Sequence, residues 1–482
     1  MSNGKKFGLI GYPLGHSLSK PIHEALFHDI QKSGQQGRPP QGDCAEEIDL
    51  LLAGCNSAAH GAKYGVYEIH PDDLEGKIGF LKTLDGFNCT IPHKLKIMQY
   101  LDHIDERAQF YGAVNTVKNV DGKLHGYNTD WIGFTDALKG LADPKDAKVL
   151  LVGAGGVSRM MAYECGVAGA KSIDVMDMMP EVALAMSKEI SEKTGVKIKV
   201  ISKKDLHKKM SDGERYDLIL NGSPAGMWHE TDGIPVPKAV IHTAGAVFDA
   251  IYNPMLTRFL LEAKLAGVPA KGGITMLVGQ AAAAQRIWMG VDFSEAELAD
   301  IAETMRQKMN DEYKMCIVMC GFMGSGKSYV GERLAKAIGY DFVDLDKYIE
   351  HKVHKSIPQI FTEDGEAEFR RLECEGLQEI AGMTGVVLAL GGGTIILDEA
   401  YETIQKLPVR IVFLEVSEEK MFERVNGGEG RPMLNKQNFE ENAKRIYHER
   451  LPRYHEVSHL TVDADVEAPE LVQQIVEILE LI

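Results

Sequence analysis

Residues Gly321-Phe322-Met323-Gly324-Ser325-Gly326-Lys327-Ser328 spell G-x-x-x-x-G-K-S, and a pattern of this length leaves a chain little freedom in how it folds locally. The glycines let backbone N–H groups curl around phosphate oxygens, the lysine reaches the β/γ-phosphates, and the serine hydroxyl ligates Mg²⁺. Such a loop belongs between a strand and a helix. Met315 to Cys320 reads as a short buried strand, and Tyr329 to Ile338 has helical periodicity. The spacing therefore predicts an α/β domain with nucleotide phosphates held at Gly324, Ser325, Gly326, Lys327 and Ser328.

A second phosphate-binding turn lies upstream. Lys148 to Val152 reads as a buried strand running into Gly153-Ala154-Gly155-Gly156-Val157-Ser158, and residues through Ala168 can form a helix. A glycine turn at a helix N-terminus suits a pyrophosphate, although Ser158 replaces the third glycine of G-x-G-x-x-G. The next strand, Ser172 to Met176, ends at Asp177, where a carboxylate would bond the adenosine ribose hydroxyls. A 2′-phosphate there would meet like charge, so NAD(H) is favoured over NADP(H). Arg159, Lys203 and Lys204 could oppose that preference by approaching the same pocket.

At 482 residues the chain is too long for one ordinary core, and roughly 150 residues per domain suggests about three. With 44% hydrophobic and 26% charged residues it is of ordinary globular composition. A net charge of -17 disfavours nucleic acid or a membrane surface as partner. There is no signal-like N-terminus, no membrane-length apolar run and no C-x-x-C pair among seven cysteines, so a reducing cytoplasm is expected, with cysteines as structural thiols.

Short β-branched runs alternate with helical stretches throughout, which argues for parallel α/β domains. Strands are expected at Phe7 to Ile10, Gly65 to Ile69, Phe87 to Thr90, Lys148 to Val152, Ser172 to Met176, Leu218 to Asn221, Ala246 to Phe248, Cys316 to Cys320, Val386 to Leu390 and Arg410 to Leu414. Residues 33–61, with the patch Gln35-Gln36-Gly37-Arg38-Pro39-Pro40, read as a surface insertion. Arg306 to Lys314 marks the boundary before the second nucleotide-binding part, without a flexible linker.

Four further segments precede the dinucleotide turn: His16-Ser17-Leu18-Ser19, Asn88-Cys89-Thr90-Ile91-Pro92-His93-Lys94, Gly112-Ala113-Val114-Asn115-Thr116 and Asn128-Thr129-Asp130. In this order, followed by G-A-G-G-x-S, they make the first 313 residues or so resemble the shikimate dehydrogenase family. The resemblance implies a substrate domain, a Rossmann domain and a cleft between them. It implies that Lys94 and Asp130 form the catalytic pair, and that Ser17, Ser19, Thr90, Asn115 and Gln280 bind substrate, with Asn88 and Tyr252 near the pocket. It also places Asn221 to Met227 beside the nicotinamide, so that Gly153, Ala154, Gly155, Gly156, Val157, Asp177, Asn221 and Met227 form the cofactor set. A ketone reduced by hydride needs a positioned acid, and a lysine held by an aspartate can serve without a metal. Pro21 stands one residue later than the family's proline, and Met178 replaces the arginine of many NADP-using members. That point resembles the NAD-preferring quinate/shikimate branch and leaves quinate open as a substrate.

From about residue 315 the phosphate loop is joined by Asp344-Leu345-Asp346, Phe369-Arg370-Arg371-Leu372-Glu373, Gly391-Gly392-Gly393 and Arg450-Leu451-Pro452-Arg453-Tyr454. The combination resembles shikimate kinase. It implies Asp346 as base at the acceptor hydroxyl, Ser328 and Asp344 at Mg²⁺, and Lys327 and Arg431 at the ATP phosphates. Arg370 and Arg450 would clamp the substrate carboxylate, while Gly392 and Gly393 let backbone approach the ring.

The expected fold class is thus α/β: a two-domain dehydrogenase fused to a P-loop kinase domain. Its divisions are 1–133 plus 267–313 for the substrate domain, 134–266 for the Rossmann domain and 314–482 for the kinase. The expected function is reduction of 3-dehydroshikimate to shikimate with NAD(P)H, then phosphorylation of shikimate by Mg·ATP. The alternatives are an NAD-dependent quinate/shikimate dehydrogenase joined to a kinase of altered acceptor, or to a non-catalytic regulatory P-loop module. Homo-oligomerisation and channelling of shikimate between sites stay open.

Overall fold

Three sheets account for the strands in the computed structural model of the chain, which describes residues 4–15, 17–33, 61–380, 383–425 and 439–481. The insertion assigned to 33–61 and Arg431 fall outside these residues, the flanking positions 33 and 61 excepted. Two compact units divide the chain: one comprises Met1–Pro224, Pro235–Met255 and Glu262–Lys308, the other Ala225–Ile234, Leu256–Leu261 and Met309–Ile482.

In the first unit, β1 (Lys6–Gly11), β2 (Lys63–Glu68), β3 (Gly86–Cys89), β4 (His103–Ile104), β5 (Thr116–Val120) and β6 (Lys123–Tyr127) form one sheet in the order β2-β1-β3-β5-β6-β4. It is mixed, which corrects the expectation of parallel sheets throughout: β3 pairs antiparallel with β5, and β5 with β6. The cause is local. Asp121 and Gly122 both have positive φ, 52° and 83°, the conformation that turns a chain back on itself in a two-residue hairpin.

The second sheet of this unit contains β7 (Lys148–Val152), β8 (Ser172–Met176), β9 (Ile198–Val200), β10 (Leu218–Asn221), β11 (Ala246–Asp249) and β12 (Ala270–Lys271). Its order, β12-β11-β10-β7-β8-β9, is the doubly wound dinucleotide-binding arrangement, reversing direction at β7 and β10. Every pair in it is parallel. Leu150, Leu151, Leu218, Ile219 and Leu220 are fully buried, as strands covered on both faces require. Because Ala270 pairs with Val247, β12 joins this sheet beyond the boundary expected at residue 266.

The second unit holds β13 (Cys316–Cys320), β14 (Asp341–Asp344), β15 (Val386–Ala389), β16 (Val409–Glu415) and β17 (Leu460–Asp463), all parallel, in the order β14-β15-β13-β16-β17. Central β13 is buried along its whole length and delivers the phosphate loop at its carboxyl end, before the helix Lys327–Ile338.

Candidate active sites

The first site starts from two glycines. The helices Asp130–Leu138 and Gly273–Met289 cross so closely that a Cβ on Gly133 would lie 2.2 Å from the Met276 carbonyl oxygen, and one on Gly279 would lie 3.0 Å from the Gly133 Cα. That approach brings Gln280 to the N-terminus of the shorter helix, where Asp130 is the first residue. Lys94, from the short helix His93–Lys96, donates to Asp130 Oδ2 at 2.6 Å. Asn115 donates from Nδ2 to Asp130 Oδ1 (2.9 Å) and to Gln280 Oε1 (3.2 Å). The Thr129 N–H donates to Asn115 Oδ1 at 2.7 Å, which fixes the orientation of that amide. A lysine and an aspartate in contact, both partly buried, with the carboxylate at a helix N-terminus, make a proton donor whose charge is held in place.

Ser19 opens the helix Ser19–Ser33; its backbone N–H donates to Ser17 Oγ at 3.2 Å and its hydroxyl lies 2.8 Å from Tyr64 Oη. Tyr64 donates to Asn88 Oδ1 at 2.7 Å, and Asn88 donates to Thr116 Oγ1 at 3.0 Å. Thr90 follows β3, its N–H bonded to the Ile10 carbonyl. Tyr252 follows β11, where burial raises its phenol above the ordinary range. The sequence motifs from 17 to 130 thus converge with Gln280 on one polar patch. Tyr64, Thr116 and Thr129 join it without having been singled out; Thr116 and Thr129 lie inside the quoted motifs, but no motif marked Tyr64.

At the dinucleotide turn Gly153 has φ of 103° and lies so near Gly222 that a Cβ would approach its backbone to 3.0 Å. A Cβ on Gly155 or Gly156 would instead meet open space, so the exposed N-terminus of the helix Gly156–Val167 has room for a phosphate group. Ala154 is buried and Val157 packs against the core of the second sheet. Ser158, in place of the third glycine, is fully buried and donates to the Gly222 carbonyl at 3.3 Å. Asn221 donates to Asp249 at 3.0 Å and accepts from Ser223. Asp177 is half-buried at the end of β8 and accepts from the Met179 N–H, leaving Met178 99% exposed. Arg159, the cation nearest the turn in sequence, is paired with Glu189 at 2.5 Å, and Lys203 and Lys204 are exposed. Met227 belongs to the second unit and is partly exposed.

In the second unit Gly324 to Ser328 line a cavity of about 800 Å³ shared with Asp344, Asp346, Arg370, Glu373, Gly391 to Gly393 and Arg450. Lys327 Nζ donates to the carbonyls of Gly321 and Phe322, both at 2.9 Å, curling the loop around its own lysine. Ser328 donates to Asp344 Oδ2 at 2.5 Å, so two hard oxygens that suit Mg²⁺ stand side by side at the phosphate loop.

Asp346 Oδ1 is buried with no hydrogen-bond partner. Burial pushes its carboxyl up to about 6, with Glu373 and Asp344 adding to the rise and Lys327 opposing it. Crowding here is possible only because residue 391 is glycine: a Cβ would stand 2.8 Å from Asp346 Oδ1 and 2.9 Å from Glu373 Oε1. Gly393 likewise leaves room for the Arg370 guanidinium, which donates to Glu373 at 2.6 Å. Arg450 donates to the Gly392 carbonyl at 3.0 Å. Three groups escaped the sequence reading. Glu373 is fully buried between Arg370 and Thr394; Tyr454 donates to Gly392; Arg424 reaches toward Gly324 and Ala464 from the helix Glu418–Val425. Glu373 was within a quoted motif, and its three-residue offset from Arg370 on a helix was the available signal.

Two family matches bear on these sites: residues 50–117 match the shikimate dehydrogenase substrate binding domain, and residues 323–480 match shikimate kinase. Over 297 residues the chain is 35% identical to the shikimate dehydrogenase (NADP(+)) of Caldanaerobacter subterraneus subsp. tengcongensis, covering 61% of this chain and 95% of that protein. A chorismate mutase/shikimate 5-dehydrogenase fusion protein from Clostridium acetobutylicum superposes with a TM-score of 0.52 at 32% identity, over 64% of this chain and 99% of its own. The shikimate 5-dehydrogenase of Listeria monocytogenes, solved with shikimate and NAD, gives a TM-score of 0.52 at 25% identity, over 63% and 97%. With its doubly wound sheet, its Lys94–Asp130 pair and its phosphate-loop cavity, the chain belongs to the shikimate dehydrogenase family and carries a shikimate kinase domain at residues 323–480.

Proposed function

We propose that the chain performs two consecutive steps of aromatic biosynthesis, reducing 3-dehydroshikimate to shikimate and then phosphorylating the 3-hydroxyl of shikimate. The observation that carries this reading is the coexistence of both intact constellations: Lys94 on Asp130 at 2.6 Å, and Asp346 without a partner in the cavity that holds Lys327. The product of the first is the acceptor of the second.

In the first step NAD(P)H supplies a hydride to the ketone carbon. Lys94 gives a proton from Nζ to the developing alkoxide, while Asp130 keeps the ammonium charged and aimed. Ser17, Ser19, Thr90, Asn115, Tyr252 and Gln280 hold the carboxylate and hydroxyls, whose polarity matches a lining of amides and hydroxyls. Gly153, Ala154, Gly155, Gly156 and Val157 cradle the pyrophosphate, with Asn221 toward the nicotinamide.

In the second step Asp346 takes the proton of the 3-hydroxyl, the hydroxyl oxygen bonds the γ-phosphorus, and the bond from that phosphorus to the ADP oxygen breaks. Arg370 and Arg450 hold the carboxylate, and the glycines at 392 and 393 admit the ring. Lys327 faces the phosphates, a role that the family pattern also gives Arg431. Ser328 and Asp344 would hold Mg²⁺, which would supply charge neutralisation for the phosphoryl group.

Preference for NAD(H) is supported by Asp177, by the exposed Met178 where an arginine would otherwise meet a 2′-phosphate, and by the pairing of Arg159 with Glu189. The NADP(+) designation of relatives stands against it, and the Listeria protein shows that the family fold accepts NAD. The divisions 1–133 plus 267–313, 134–266 and 314–482 are part of the same proposal, supported by the sheet that dominates each, save that β12 extends the second sheet past residue 266. Steady-state rates with shikimate and quinate, each against NAD⁺ and NADP⁺, test it: shikimate with NAD⁺ is expected to be the best pair. A chain that oxidises quinate alone would overturn the assignment of the first step. Among the described residues no helix is long and apolar enough to cross a membrane.

A further inference from the structure

A one-way chain of hydrogen bonds runs through the dehydrogenase site, and its direction is fixed by groups that can only donate or only accept. The Asn88 amide nitrogen lies 3.2 Å from the Asn115 carbonyl, which only accepts, so Asn88 Oδ1 must face Tyr64. Tyr64 therefore spends its single proton on Asn88, and at 2.8 Å Ser19 must donate to the phenol oxygen. Onward, Asn88 donates to Thr116, Thr116 to Asn115 Oδ1 (3.0 Å), and Asn115 to Asp130. Every donation points toward the carboxylate that holds Lys94. Aligned donors of this kind polarise one another.

We infer that Tyr64 is a positioning residue of the dehydrogenase, setting the rotor of Ser19 and the carbonyl end of Asn88. This rests on the reading above, in which Ser19 binds shikimate and Asn88 lies near the pocket. The ring is built to hold its hydroxyl still: Tyr64 is 5% exposed on β2 and stacks on His23 with centroids 4.3 Å apart and planes 13° apart. His23 is itself fixed by Gln285, whose amide lies 2.8 Å from its Nδ1. The residue touches the proposed ligand Ser19 and its neighbour Asn88 and has no role in proton transfer, so its loss should appear in substrate binding.

The wild-type chain must first be shown to reduce 3-dehydroshikimate; failure there would refute the underlying reading, and this inference with it, before any variant is made. Tyr64→Phe keeps the ring and removes the link. It is expected to raise the KM for shikimate about tenfold, the cost of leaving a buried acceptor unpaired, with kcat, the cofactor KM and kinase turnover changed less than twofold. In a Ser19→Ala background the same change is expected to add much less, because the shared contact is already gone. An unchanged shikimate KM, a full multiplicative effect in the Ser19→Ala background, or an equal loss of cofactor affinity would each overturn the inference. Should Tyr64→Phe fail to fold, His23→Gln, which removes the stacking face and leaves the phenol, is expected to raise the shikimate KM alone; no change would overturn it.

Discussion

Asp346→Asn should abolish phosphoryl transfer and at the same time stabilise the unit that loses it. Burial, the largest cause, pushes the folded carboxyl up to about 6 from the ordinary aspartate value of about 3.9, so the native state binds this proton more tightly than the unfolded chain. Stability contributed by the protonated form is present below about pH 4 and is lost as pH rises toward 6, the reverse of a salt-bridged aspartate. A difference of about two pKa units corresponds to roughly 3 kcal/mol at 1.36 kcal/mol per unit, and partial exposure reduces this to about 2 kcal/mol. Asparagine carries no charge to desolvate and should recover that amount at pH 8 and about a third of it at pH 4.5, where the unfolded carboxyl is already largely ionised. The assay is thermal unfolding across this range, following the transition that Mg·ADP shifts. An upward shift on the order of 5 °C at pH 8 is expected, at roughly 2–4 °C per kcal/mol. A variant equally shifted at both pH values, or destabilised at pH 8, would refute the electrostatic reasoning.

The same titration should be visible in wild-type kinetics: kinase kcat/KM falls below pH about 6, reaching about one-tenth near pH 5, whereas an ordinary aspartate would leave the rate nearly unchanged there. Gly133→Ala places a Cβ 2.2 Å from the Met276 carbonyl and should cost the dehydrogenase about 1–3 kcal/mol of stability, read by unfolding, while kinase turnover is retained. Met178→Arg should raise kcat/KM for NADP⁺ about tenfold relative to NAD⁺, one favourable charge contact with a 2′-phosphate; no change in the ratio would mean that this side chain does not face the ribose.

Elements that obey one strong local rule were legible from the chain. Lys148–Val152, Ser172–Met176, Leu218–Asn221 and Cys316–Cys320 are apolar runs buried on both faces, and they fall where the sequence places them. The hairpin β5–β6 escaped because Lys118, Asn119 and His125 interrupt its apolar pattern, although Asp121-Gly122 was a turn signal in plain view. β12 is two residues long and exists only because β11 offers an edge. In the sites, residues inside motifs were legible and residues that hold them were not. Tyr64 stands in an unremarkable strand, and only tertiary packing brings it between Ser19 and Asn88. Arg424 likewise reaches the phosphate loop from a helix one hundred residues away in sequence. The role of Ser158 was obscured for a related reason: a buried serine hydroxyl bonded to Gly222 is compatible with the close packing that a third glycine usually secures.

The central claim is that two separate chemistries act in series on one chain, and end-point analysis of a single reaction tests it most directly. Wild-type protein given 3-dehydroshikimate, NAD(P)H and Mg·ATP should yield shikimate 3-phosphate. Lys327→Ala should stop at shikimate, and Lys94→Ala should leave 3-dehydroshikimate untouched yet still phosphorylate added shikimate. If either folded variant lost both activities, or if wild-type protein stopped at shikimate, the account of two independent consecutive sites would be contradicted.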